Sequence, residues 1–352
     1  MTTPWYTTRE EVKAELDVKE TARSNARIDR ALADAADAVH GLTHRVFYPT
    51  LATRAWDWPA GQSAPAWRLW LDGNELISVS SLTTGGKIID PADYVLRRSD
   101  GRDEPPYTHL ELNIGSSAAF GGGATTQRAV SVQGLYGYRN DETPGGTITE
   151  ALDAVETGVD VDAAASAAVG VGSLLRIDSE RVIVTGRSLL DTGQIIAGDL
   201  TAQNNTVIVP VSSGAAFAAG EMILVDGERM LVEEIAGNTL LVRRAWDGSP
   251  IAPHATGAAV YAPRTLTVQR GALGTTAAAH TSGAAVARWE APGSVRQLCL
   301  AEALVDLMQG RSAYARTAGS GESEREASGK GLVDLRARVY TSHGRKARAR
   351  AV

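Results

Sequence analysis

The chain repeats itself, and the repeats restrict its fold more than any other feature of the sequence. VGSLLRIDSERVIVTG, from Val171, matches AGEMILVDGERMLVEE, from Ala219, at a constant offset of 48 residues. Gly172/Gly220, Asp178/Asp226, Glu180/Glu228, Arg181/Arg229 and Val184/Val232 coincide, and upstream GVDV aligns with TVIV at the same offset. A second repeat has an offset of 26, where TLLVRRAWDGSPIAPHATGAAV matches TLTVQRGALGTTAAAHTSGAAV. It pairs Arg244/Arg270, Gly248/Gly274, His254/His280 and Gly257/Gly283. Each unit alternates apolar and polar residues between turns rich in Gly, Asp and Asn, which is the pattern of hairpins. The repeats predict an all-β domain over residues 147–290, inserted into a core of different character.

That core is helical at both ends. Thr8 and Glu11 have capping-box spacing before the apolar pair Val12 and Leu16. In ARIDRALADAADAVHGL, Ile28, Leu32, Ala35, Ala36 and Val39 share a face and Gly41 is the expected stop. A face built mostly of alanine lets a neighbouring helix approach closely, so Ala35 and Ala36 are candidates for a subunit interface. SVRQLCLAEALVDLMQGR repeats the pattern with Val295, Leu298, Ala301, Leu304, Leu307 and Met308. Between these helices, Arg54–Pro59, LISVSSLTTGGKIIDPADYVLRR, His109–Asn113 and Ala129–Tyr138 read as strands, with a turn at Gly85-Gly86. The expected class is α+β, a small helical core with short antiparallel strands plus an inserted all-β domain of hairpin repeats and an extended C-terminal arm. Its parts are residues 1–146 (first part of the core), 147–290 (insertion), 291–318 (closing helix), and 319–352 (linker and arm). At 352 residues and 43% hydrophobic content, such a chain has enough apolar material for a core.

No constellation in the sequence supports catalysis, and no cofactor or metal site is expected. Asp178-x-Glu180 and Asp226-x-Glu228 are the obvious carboxylate pairs, but each is followed at once by Arg, and solvated hairpin turns account for them. His254 and His280 occupy equivalent repeat positions, with turn-closing hydrogen bonds the expected role because no third metal ligand is visible. Gly121–Gly123 lacks the Gly-Lys-Ser/Thr of a phosphate loop. The single cysteine, Cys299, lies on an apolar helix face and excludes an intrachain disulfide. With no signal peptide and no apolar run of membrane length, a soluble protein made in a reducing compartment is expected. Trp56, Trp58, Trp67 and Trp70 cluster closely enough either to cover the small core or to mark a subunit contact.

The net charge is −6, yet from Arg336 onward the chain carries only basic charges, at Arg336, Arg338, Arg345, Lys346, Arg348 and Arg350. A basic tail on an acidic body reads as an interaction arm. GSGESEREASGKG, residues 319–331, reads as a flexible connector. The following LVDLRARVY fits two periods, helical through Leu332, Leu335 and Val339, or strand-like with Leu335, Ala337 and Val339 alternating with Arg336, Arg338 and Tyr340. A segment with both periods suits ordering on a partner.

The order of these parts resembles the head-to-tail connector, or adaptor, proteins of tailed bacteriophages. TTREEVKAELDV and RIDRALADAADAVHGLTHRVF resemble the first two helices of that family. ELISVSSLTTGGKIIDPADYVLRR is similar to its strand, turn and Asp-Tyr-x-Leu stretch, and VSVQGLYGY to the strand before its last long helix. The β repeats, similar to hairpin modules of other phage structural proteins, are an addition to the simpler members. The resemblance covers about residues 5–146 and 290–352. It implies a structural virion protein of the head-tail neck, assembled in the host bacterial cytoplasm. Its copies, commonly twelve, would form a ring beneath the portal, above a tail-completion, stopper or tail-terminator protein. Genomic DNA would pass transiently through the lumen, and no membrane is involved. Leu332, Leu335, Arg336, Arg338, Val339, Tyr340, Arg345, Lys346, Arg348 and Arg350 would then form the portal-docking arm. The alternatives are a minor tail or tail-terminator protein whose β repeats bind a host glycan, and a carbohydrate-active enzyme using the repeated carboxylates.

Overall fold

Caps and apolar spacing set the first helices. The computed structural model describes residues 3–16, 25–58, 65–309, 317–318, 325–326 and 330–345. Helix α1 (Arg9–Glu15) opens on a complete capping box, with Glu11 N donating to Thr8 Oγ1 at 3.2 Å and Thr8 N to Glu11 Oε2 at 3.1 Å. Helix α2 (Asn25–Thr43) buries Ile28, Leu32, Ala35, Ala36 and Val39 as their spacing requires. It does not stop at Gly41. The helix runs on to Thr43, and His44 takes the left-handed conformation (φ 53°).

The fold is α+β, with five helices and several antiparallel sheets among the described residues. Contacts divide it into two units. One holds His40–Asp141 and the residues from Tyr340 on; the other holds those up to Val39 with Glu142–Val339.

In the first unit, β1 (Thr50–Trp56), β2 (Arg68–Trp70), β3 (Leu76–Thr84), β4 (Lys87–Ile89), β5 (Tyr94–Arg97), β6 (His109–Leu112) and β7 (Val130–Tyr136) make two sheets. Their orders are β1-β7-β3-β4 and β2-β6-β5. Leu69, Leu76, Leu82, Leu110, Val130 and Val132 centre the core. Gly134 is required on β7, because a Cβ there would fall 2.2 Å from Ser78 O on the bulged strand β3.

The second unit is dominated by a ten-stranded sheet. Its elements are β8 (Glu142–Thr147), β9 (Gly158–Asp160), α3 (Ala163–Ala168), β10 (Leu174–Ile177), β11 (Glu180–Ile195), β12 (Ile208–Pro210), β13 (Met222–Val225), β14 (Glu228–Ala236), β15 (Thr239–Arg243), β16 (Ala259–Gln269) and β17 (Ala285–Trp289). The main path runs β12-β15-β14-β13-β16-β11-β10-β17-β8, with β9 on β16. The two sequence repeats are halves of one module that occurs twice, and the second copy is nested inside the first. β11 leaves the first copy, the chain builds the second over residues 196–260, and β16 returns to complete the first. The cores superpose in kind: Ile148, Leu152, Leu175, Val182 and Leu266 in one correspond to Ile196, Leu200, Ile223, Met230 and Leu240 in the other. The upstream alignment shifts. Val159 faces Leu266 while Val209 faces Leu240, so β9 corresponds to β12 two residues later than the constant offset places it. A shift of two keeps the same face inward.

Helix α4 (Gly293–Gln309) buries Val295, Leu298, Cys299, Ala303 and Leu307. After the short pair β18 (Thr317–Ala318) and β19 (Arg325–Glu326), helix α5 (Lys330–His343) closes the described chain. The helices of this unit are tied by charge: Arg9 to Asp29, Arg296 to Glu11, and Arg336 to Glu302. The module and α1 also share contacts, since Trp5 N donates to Gly172 O at 3.1 Å and Lys13 Nζ reaches Asp247 at 2.9 Å.

The expected extended arm is a helix. Of its two periods the helical one prevails: Leu335 (6% exposed) and Val339 are buried, while Ala337, which the alternating period would also turn inward, is exposed. Most of the expected connector, 319–331, lies outside the described residues; within it, Arg325–Glu326 forms a strand and α5 has begun by Lys330.

Candidate functional sites

Each copy of the β module carries the same buried polar cluster. In the nested copy, a tight turn places Asp226 at φ 50° and turns Glu228 inward. Glu228 is wholly buried, while Asp226 remains 62% exposed. Arg244 Nε and Nη2 each donate to the Glu228 carboxylate at 2.7 Å, and the N–H groups of Ala245 and Ala252 add bonds of 2.9 and 3.0 Å. His254 completes the set, with Nε2 at 3.0 Å from Glu228 and Nδ1 at 2.7 Å from Asp226.

The outer copy repeats this with Glu180, Arg270, His280 and Asp178. Arg270 donates twice at 2.8 Å, Gly271 N and Ala278 N at 2.8 and 3.0 Å, and His280 lies 2.9 Å from Glu180 and 2.7 Å from Asp178. Asp178 also sits at φ 50°. Each cluster thus joins two carboxylates, one guanidinium and one imidazole.

Burial by itself would raise these two glutamates. The bonds from Arg270, Ala278, Gly271 and His280 outweigh it and hold Glu180 down to about 2. Arg244, Ala252, Ala245 and His254 do the same for Glu228, also about 2. A carboxylate that strong keeps no proton to donate near neutrality, so neither glutamate is suited to act as a general acid there. The expectation of solvated turns holds for the aspartates and fails for the glutamates, whose ligands lie far along the chain. His254 and His280 do hydrogen-bond across their turns, but to carboxylates. The signal for the clusters was present, since all four residue types recur in register in the two repeats.

The other candidates fall in different places. Trp56, Trp58 and Trp67 pack against the core of their own unit, with the Trp58 ring 4.9 Å from Phe120, and Trp70 lies 4.2 Å from the His109 ring. All four remain half-buried. Ala35 and Ala36 are buried within the chain. In the C-terminal segment, Leu332 is half-buried, Arg336 pairs with Glu302 at 2.5 Å, Arg338 is exposed, and Tyr340 is partly exposed. His343 Nδ1 lies 3.1 Å from the Tyr138 hydroxyl, and Arg345 Nη2 donates to Gly73 O at 3.0 Å. Lys346, Arg348 and Arg350 lie outside the described residues. Among the described residues no group of three or more His, Cys, Asp or Glu side chains is placed to hold a metal, and no helix is long and apolar enough to cross a membrane.

No family model, no curated protein and no solved structure matches this chain.

Proposed function

We propose that the protein is a structural component of a phage neck, a head-to-tail adaptor whose copies form a ring beneath the portal. The observation that carries this reading is the succession of parts. Two N-terminal helices, a small antiparallel β unit, a long alanine-bearing helix and a basic C-terminal segment follow one another as in the connector family, with the nested β module interposed between β7 and α4. Phage connector-like architecture, with the β module as an addition, is the finer fold assignment that goes with it.

Portal docking in this reading uses the outer face of α5 and the basic residues beyond it. Leu335 and Val339 are buried and Arg338 is exposed, so Arg338 would meet the partner together with the basic residues Lys346, Arg348 and Arg350 that follow in the sequence. A ring follows from heterologous contacts that close, with the half-buried Trp56 as a candidate contact for a neighbouring copy. The glycan-binding alternative finds less support, because the recurring polar residues of the β module are consumed by their own clusters. Co-sedimentation with the portal of the same phage tests the proposal. Binding should fall when Arg338, Lys346, Arg348 and Arg350 are changed to Ala and should weaken with salt; undiminished binding would remove the docking role.

A further inference from the structure

A cavity of about 420 Å³ opens in the unit that contains His40–Asp141 and the C-terminal residues. Three guanidiniums (Arg45, Arg54 and Arg345) and two imidazoles (His40 and His44) line it against one carboxylate, Glu75. The sequence places these groups together in simple ways. Arg45 follows the left-handed His44 at the end of α2, Arg54 projects from β1, and Arg345 follows α5.

Glu75 serves Arg45 first, with the Arg45 Nη1 at 3.0 Å. Arg345 stands farther off, its Nε 3.8 Å from Glu75, and spends Nη2 on Gly73 O. Arg54 has no carboxylate within salt-bridge distance among the described residues; it bonds Asn74 Oδ1 and lies 4.6 Å over the Tyr136 ring. Among the described residues one carboxylate thus faces three guanidiniums, so their charges leave a surplus of two positive charges on the wall even with both imidazoles neutral. Concentrating such charge in a concavity is unfavourable without an anion to answer it. Arg45 shows this cost: burial lowers its pKa, and its buried Nε lacks an acceptor. Gly73 keeps the site open, since a Cβ there would lie 3.0 Å from Arg345 Nη1.

We infer that this cavity binds a phosphate group, and that the phosphate belongs to a nucleic-acid backbone. Guanidinium forks match phosphate oxygens in shape and charge. A carboxylate already occupies Arg45, so the remaining surplus calls for a doubly charged or repeating anion. The space extends beyond a single phosphate, for a second cavity of about 800 Å³ shares Arg45, Glu75 and Arg345 with the first. There Arg98 is paired with Asp100 at 2.9 Å, so the uncompensated charge belongs to the first cavity. The chain also continues past Arg345 through Lys346, Arg348 and Arg350. The phosphate half of the inference stands on the cavity alone, and the nucleic-acid half rests on the adaptor reading, in which DNA passes the protein.

The test titrates the full chain with a short labelled DNA duplex over a series of salt concentrations, following fluorescence anisotropy. Calorimetric titrations with inorganic phosphate and with poly-glutamate run alongside. Arg54→Ala should weaken duplex binding about ten-fold and lower the slope of log affinity against log salt by about one, equally for all sequences. Arg54→Lys should keep the slope, and Gly73→Ala, which crowds Arg345, should weaken binding while melting like the parent. Duplex binding that is unchanged in Arg54→Ala and Arg345→Ala overturns the site. Binding of phosphate but not duplex overturns the nucleic-acid half, and preference for poly-glutamate replaces it with an acidic protein partner. Duplex binding at the cavity by a protein that fails to dock on the portal counts against the adaptor reading and leaves the phosphate site standing.

Discussion

Glu180 and Glu228 each accept from a guanidinium, two backbone N–H groups and an imidazole, which is how a charged side chain is held with no exposed surface. Their pKa values are about 2 in the folded chain against an ordinary 4.5. A depressed carboxylate contributes stability that is fully present above the unfolded value and is lost as pH falls through the folded one. Stability should therefore hold down to about pH 4.5 and drop between there and about pH 2. Denaturant melts across that range should show a steep acid limb in the parent and a shallower one in Glu228→Gln, which has one fewer group to titrate. An unchanged limb would mean that the cluster does not form. The glutamates were hard to read in the sequence for a physical reason. The neighbouring Arg181 and Arg229 suggested local pairing, whereas the guanidinium that neutralises Glu180 lies 90 residues away.

Among the elements, helices with a single clear period were legible in place but not in every detail: α1 starts at its capping box, α2 runs two residues past Gly41, and α4 buries Val295, Leu298 and Leu307 as expected but Cys299 and Ala303 in place of Ala301, Leu304 and Met308, the last 50% exposed. Ala36 is 2% exposed on α2, so Ala36→Leu must force a larger side chain into packed space. A loss of about 1–3 kcal/mol in denaturant melts is expected, and a parent-like melt would show that face to be loosely packed. The C-terminal segment carried two periods at once; burial of Leu335 and Val339 fits both, and exposure of Ala337 leaves the helical one, a tertiary effect that local pattern does not contain. The β module was legible as repeats but not as nested copies, because offsets of 48 and 26 describe halves whose pairing only the closed sheet shows. Nesting also revises where the chain can be cut. Removing 147–290 would take away Gly172 and Asp247, which hold Trp5 and Lys13 beside α1. Ile195 and Ala259 are instead direct antiparallel partners. Excising residues 196–258 and joining those two with an Asn-Gly turn should leave the outer copy folded. Circular dichroism and melting check this; loss of cooperative unfolding would mean that the outer copy depends on the nested one.

On the scale of the whole molecule, the chain divides into two units, and the repeated carboxylates of the nested module serve the architecture of their own unit. Three features invite contact: the basic sequence after α5, the half-buried tryptophans, and a cavity lined by three arginines and one glutamate. The order of helices and strands was readable in the sequence, while the cavity was not, since His44, Arg54 and Arg345 come from distant positions and share no motif. The adaptor reading demands a closed assembly seated on a portal. Negative-stain microscopy of the purified protein mixed with the portal of the same phage tests this most directly. The account predicts a ring of copies, commonly twelve in the family it resembles, stacked coaxially on the portal. Particles that remain single copies, with bare portals beside them, would contradict it.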